Sequence, residues 1–151
     1  MIEIRERFDV PGDPEQVWAI LSDPHAVVGC VPGASITGQA EDGSLDANVG
    51  VKFGPTRVAF KVQAALALDE ASRTGKITAQ GRDGIGGTRM KSTAMFQVTP
   101  APSGQGSSVA VDGSVEVSGR LASLIEGGAS LVVKRMSAEF AERLAARCSE
   151  A

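Results

Sequence analysis

The chain has 151 residues, a net charge of −3, and an apolar fraction of 42% against 22% charged. That describes one domain, residues 1–151, with one sizeable core. An acidic balance, with a pI near 5.2, argues against a nucleic-acid partner, whose phosphates demand clustered Lys and Arg, and leaves room only for a small basic patch.

Cys30 and Cys148 lack metal-type spacing, and no run approaches the roughly 20 apolar residues of a membrane span. The opening MIEIRERFDV lacks the apolar run of a signal peptide. These features predict a cytoplasmic protein with two reduced thiols and no metal.

In chain order, Ile2, Ile4, Phe8 and Val10 alternate with charged residues, the period of a half-buried strand. Glu6 falls on the apolar side of that strand and is the exception. Pro11-Gly12 ends it. Asp13-Pro14 and Asp23-Pro24 each pair an N-cap with proline at the first helical position. They predict two short helices, the first carrying Val17, Trp18, Ile20 and Leu21, the second running from Pro24 to about Gly29 before CVPG breaks it.

From Ala34 the period is two. Asp42-Gly43 and Gly54-Pro55 are turn signals between strands carrying Ala47, Val49, Val51, Phe53 and then Val58, Phe60, Val62, Ala64, Leu66, Leu68. Ile77, Ala79 and Gly81 continue the pattern. After glycines 84, 86 and 87 come Met90, Ala94, Phe96 and Val98; Pro100 to Gly106 is a loop; Val109, Val111, Val115 and Val117 complete a last strand. Six strands joined by tight turns cannot be parallel, because parallel pairs need long crossovers. Residues 34–117 are therefore expected to form an antiparallel meander.

From Arg120 to Arg147 the spacing changes to three, four and seven. Leu121, Leu124, Ile125, Leu131, Val132, Met136, Phe140 and Leu144 mark an amphipathic helix, about 40 Å long at the helical rise. Gly127-Gly128 inside it costs about 1 kcal/mol per glycine against Ala, so a kink or a close backbone approach is expected there.

The predicted fold class is α+β of the helix-grip kind. A curved seven-stranded antiparallel sheet is followed by one long C-terminal helix packed across it, with two short helices after strand 1. An opening between sheet and helix would be closed at one end by the short helices. DPHAVVGCVPGAS, Asp23 to Ser35, would then form the mouth of a pocket.

FDVPGDPEQVWAILSDPHAVVGCVPGAS resembles the start of the carbon monoxide dehydrogenase G-subunit family, within the START-like, Bet v 1-like (SRPBCC) superfamily. Phe8, Val10, Pro11, Val17-Trp18, Asp23-Pro24, Cys30, Pro32 and Gly33 carry the likeness, as do VGVKFGPTRVAFKVQAALAL, GRDGIGG, SGRLASLIEGGA and AEFAERL further on. The resemblance implies a non-catalytic accessory protein that binds a hydrophobic small molecule, a quinone or similar lipid, held non-covalently. It also implies a molybdenum-type carbon monoxide dehydrogenase or related molybdenum hydroxylase as partner. Peripheral association with the inner face of the cytoplasmic membrane goes with it. The alternatives are a cyclase- or hydratase-like enzyme on the same fold, or a protein adaptor with a filled core.

The residue inventory suits the carrier. His25 is the only histidine and has no partner in the pattern; Asp42/Asp46 and Glu139/Glu142 read as solvated charge; DGIGG lacks the helix a phosphate loop needs. No catalytic residue is assigned. The expected pocket is apolar with a few polar guides. Its lining residues are Val51, Phe53, Phe60, Val62, Met90 and Phe96 from the sheet, and Leu124, Ile125, Gly128, Val132 and Met136 from the long helix. Trp18, Val28, Cys30, Val31 and Pro32 belong to the short-helix region. Glu6 is the candidate polar guide.

Overall fold

The computed structural model describes residues 1–83 and 87–149. The expected DGIGG hairpin lies partly outside the described residues.

Strand β1 (Ile2–Val10) leads through helices α1 (Pro14–Leu21) and α2 (Pro24–Cys30) into six strands. These are β2 (Ala34–Gln39), β3 (Leu45–Phe53), β4 (Thr56–Asp69), β5 (Thr74–Asp83), β6 (Thr88–Pro100) and β7 (Ser107–Gly119). Helix α3 (Ala122–Ser149) follows. All pairings are antiparallel, and the spatial order is β1-β7-β6-β5-β4-β3-β2. Strands β2 to β7 are the expected meander, and β1 closes onto β7.

The local signals work as their chemistry requires. The Asp13 carboxylate accepts from the Gln16 N–H at 2.8 Å and that of Asp23 from the His25 N–H at 3.0 Å, each satisfying a donor that helix geometry leaves orphaned. Asp42 accepts from the Ser44 N–H and hydroxyl at 2.9 and 2.7 Å, tightening the β2–β3 turn. His25 is exposed at its helix start.

Gly33, where the chain leaves α2 for β2, has φ +77°. Its carbonyl accepts from the Gly50 N–H at 2.9 Å, and a side chain there would strike the Gly50 carbonyl oxygen. CVPG therefore ends the helix and pins the connection to β3.

Helix α3 begins two residues later than expected and ends two later. Its buried stripe runs Ile125, Ala129, Val132, Leu144 and Cys148, continued by half-buried Met136 and Phe140. The steps are mostly four. Leu124 and Leu131, expected on the apolar face, are 40% and 78% exposed. Each lies one residue before a stripe position, rotated about 100° from it. The glycine pair splits in role: Gly128 sits where an added Cβ would be 3.3 Å from the Phe53 ring, whereas Gly127 faces open space. The close approach predicted for the pair is made by Gly128 alone.

α3 is tied near its middle and at its end. Arg135 Nη2 donates to the Lys52 carbonyl at 2.8 Å, and Gln16 Nε2 donates to the Cys148 carbonyl at 2.8 Å. Two separate apolar clusters form beneath it. Phe53, Val58, Phe60, Ile125 and Val132 pack under its first half. Val10, Val17, Trp18, Leu21, Cys30, Phe96, Val98, Val109, Leu144 and Cys148 pack under its second half with α1 and α2.

Candidate functional site

Near the middle of α3, within the second of these clusters and reaching Met136 at the edge of the first, sheet and helix leave a cavity of about 210 Å³. Glu6 and Phe8 from β1, Ile77 from β5, Ala94 and Phe96 from β6, and Val109 and Val111 from β7 form its floor and walls. Met136, Ser137 and Phe140 roof it from α3. Leu21 of α1, Val27 of α2, and Val31 and Pro32 after α2 close its end.

The lining follows from period and parity. Residues 6, 8, 77, 94, 96, 109 and 111 all point to the inner face of the sheet in the alternating register. Ala94 is small, and its neighbour Gly113 on β7 has no side chain, so this part of the sheet rises little toward α3. The α2 turn and CVPG bring Val27, Val31 and Pro32 over the gap, because Gly33 lets the backbone lie against β3.

Among the described residues, Glu6 is the only ionisable one that lines the cavity. The β1–β7 register is unbroken from Ile2 opposite Val115 to Val10 opposite Ser107, so no bulge rotates Glu6 outward. It is half-buried opposite Val111, and among the described residues no cation pairs with it. Ser137 adds a hydroxyl to the lining. One carboxylate and one hydroxyl on an otherwise apolar wall can orient a ligand by one polar end.

Of the residues proposed from sequence, the cavity gathers Glu6, Val31, Pro32, Phe96 and Met136. Trp18 stands behind the wall, its ring tilted against Phe96 with centroids 6.0 Å apart. Cys30 is buried in the same cluster and Val28 is half-buried outside the lining. Val51, Phe53, Phe60, Val62, Met90, Ile125 and Val132 belong to the other cluster, where they pack on one another. Gly128 rests on Phe53 and Leu124 faces solvent.

Val27 lines the cavity as part of the expected Asp23–Ser35 mouth, whereas Phe8, Leu21, Ile77, Ala94, Val109, Val111, Ser137 and Phe140 line it without having been singled out. All but Ser137 carry the apolar signal of an inner face, which does not separate cavity from core.

Burial pushes the Cys30 thiol above its ordinary value, with the Arg147 guanidinium pulling the other way. Cys148 is likewise raised by burial. Both are neutral packing groups at physiological pH, and a neutral thiol is a poor nucleophile.

A conserved protein from Geobacillus kaustophilus superposes with a TM-score of 0.83 at 17% identity, over 99% of this chain and 96% of that one. A START superfamily protein from Mycobacterium smegmatis gives 0.67 at 18%, over 98% and 97%. The Zhui aromatase/cyclase from Streptomyces sp. R1128 gives 0.63 at 12%, over 98% and 93%. At these identities the likeness is one of fold, the START-like helix-grip. No curated protein matches the chain. The family model for the G subunit of carbon monoxide dehydrogenase (CoxG) matches residues 7–149, nearly the whole sequence, and the chain belongs to that family.

Proposed function

We propose that this protein is a non-catalytic carrier that holds a hydrophobic small molecule, a quinone or similar lipid, in the cavity between α3 and the sheet. It would do so as an accessory to a molybdenum-type carbon monoxide dehydrogenase. The observation that carries the reading is the cavity wall: apolar throughout except for Glu6 and Ser137. A hydratase or cyclase calls for at least two ionisable groups converging on the reacting atoms. A single ionisable residue supports orientation rather than acid–base chemistry.

The volume of about 210 Å³ is below the about 300–1,000 Å³ of common small-molecule sites. It suits the ring end of an amphiphile, with the remainder leaving past Val27, Val31 and Pro32. Glu6 and Ser137 would meet the polar substituents of that ring. Delivery from the membrane face to the enzyme fits such a carrier; no helix among the described residues is long and apolar enough to cross a membrane.

Trp18, the sole tryptophan, lies tilted against the cavity residue Phe96, so its fluorescence would serve as the probe of occupancy. Titration with decylubiquinone is expected to quench its fluorescence saturably. Ala94→Phe, which fills the cavity from the sheet side, is expected to abolish the quench while far-UV circular dichroism stays unchanged. An equal affinity in the folded variant places the ligand elsewhere and ends this reading.

A further inference from the structure

The outer face of the sheet, turned away from α3, concentrates positive charge on a chain whose net charge is −3. Lys61 of β4 stands directly opposite Arg82 of β5, and Arg82 directly opposite Arg89 of β6. Neighbouring strands lie about 4.8 Å apart, so three cations occupy one row across three strands. Like charges directly opposite each other destabilise a sheet. Lys91 adds a fourth in the next row, opposite Gln80.

The nearby acids are Asp46 in the Gln63–Gln80–Lys91 row and Glu116 opposite Lys91. Among the described residues neither comes within ion-pair distance of these cations. All four are exposed. They line a groove of about 740 Å³ whose remaining polar walls are Thr37, Asp46, Asn48, Gln63 and Gln80, so among the described residues four cations face one carboxylate.

We infer that this groove is a docking surface for an acidic segment of a partner protein, its carboxylates received by Lys61, Arg82, Arg89 and Lys91. Arginine's fork accepts a carboxylate through two parallel bonds. Each exposed pair contributes only about 0–1 kcal/mol, so an occupant must cover several cations at once. A protein segment does that; a small free anion does not.

The exposed large apolar residues are Met1, Leu68, Met95, Leu124 and Leu131. Among the described residues none of these lines the groove, so none of them offers a bilayer an insertion point there, and a flat lipid surface cannot enter a recess. Among the described residues no aromatic lines it to stack on a nucleobase. The inference stands apart from the cavity: Ala94→Phe, on the opposite face, leaves it intact.

The test uses the full chain and a labelled oligo-glutamate peptide, followed by fluorescence anisotropy. Saturable binding that weakens as salt rises is expected. The double variant Lys61→Gln/Arg82→Gln is expected to weaken it by about tenfold and to raise the thermal midpoint, since opposed like charges are removed. The charge-matched comparator Arg5→Gln/Arg7→Gln, on the outer face of β1, is expected to bind nearly as the parent does. Three results overturn the inference: no peptide binding, equal loss in both variants, or sedimentation with phosphatidylglycerol vesicles without peptide binding.

Discussion

The ring of Phe8 on β1 meets the ring of Phe140 on α3 edge-on, with centroids 5.9 Å apart and planes inclined at 65°. Both rings line the cavity. This contact ties the sheet's edge strand to the middle of the helix and sets the height of the gap beside Glu6. Phe140→Ala is expected to cost about 2–4 kcal/mol, at or just under the usual range for a buried Phe because the ring is half-buried. It should also enlarge the cavity. Urea denaturation checks the first expectation, and a bulkier quinone analogue binding the variant more tightly than the parent checks the second. A loss below about 0.5 kcal/mol would show that the ring does not support the sheet–helix contact.

The two adjacent glycines of α3 should respond oppositely. Gly127→Ala places a methyl in open space and is expected to stabilise the protein by about 0.5–1 kcal/mol, through helix propensity and a less flexible unfolded chain. Gly128→Val drives branched carbons at the Phe53 ring, already 3.3 Å from a Cβ at that site, and is expected to destabilise by about 1–3 kcal/mol through overpacking. Chemical denaturation of both variants decides the matter. Equal and same-signed effects would contradict the assigned difference in surroundings.

Gly33→Ala is expected to be costly beyond its size. The residue holds φ +77°, which costs an L side chain about 1–2 kcal/mol, and the methyl would also meet the Gly50 carbonyl oxygen. Loss of at least about 2 kcal/mol in a denaturant midpoint series is the expected outcome. Because Val31 and Pro32 are positioned by this turn, ligand affinity should weaken in the folded fraction as well. A neutral substitution would mean that the turn does not anchor α2 to β3.

The buried thiols make stability fall at alkaline pH. Burial raises the Cys30 value in the folded state, so on raising pH the unfolded chain loses that proton first. Folded protein then binds more protons than unfolded, and stability declines as pH rises. The contribution is complete below the unfolded thiol value, about 8.5, and is lost as pH climbs through the raised folded value. Thermal midpoints should be flat in this respect through neutrality and then drop. Cys30→Ala should show a shallower alkaline drop than the parent, whatever its cost at neutral pH. Parallel curves for the two proteins would exclude Cys30 as a source.

Strand alternation, the Asp-Pro caps, the turn residues and the change of period after Gly119 were all written locally. Each depends on a residue and its near neighbours, and so the order of elements and the antiparallel meander could be read directly. The parity that places Glu6 among Ile4 and Phe8 was equally local. Helix phase was less so: Leu124 and Leu131 look apolar enough to be buried, but a four-residue stripe rotates them out.

The position of the cavity was decided by tertiary structure. Val51, Phe53 and Phe60 have the same character and strand parity as Ile77, Ala94 and Val111, yet the first group is packed shut and the second lines open space. The difference lies in how far α3 stands from each part of the sheet, and long-range anchoring sets that distance: Phe53 against Gly128 near one end, Gln16 with Cys148 at the other. The row of Lys61, Arg82 and Arg89 likewise exists only through pairing offsets summed over successive hairpins. No local pattern states such offsets, because they arise from which side chains fit together across the sheet.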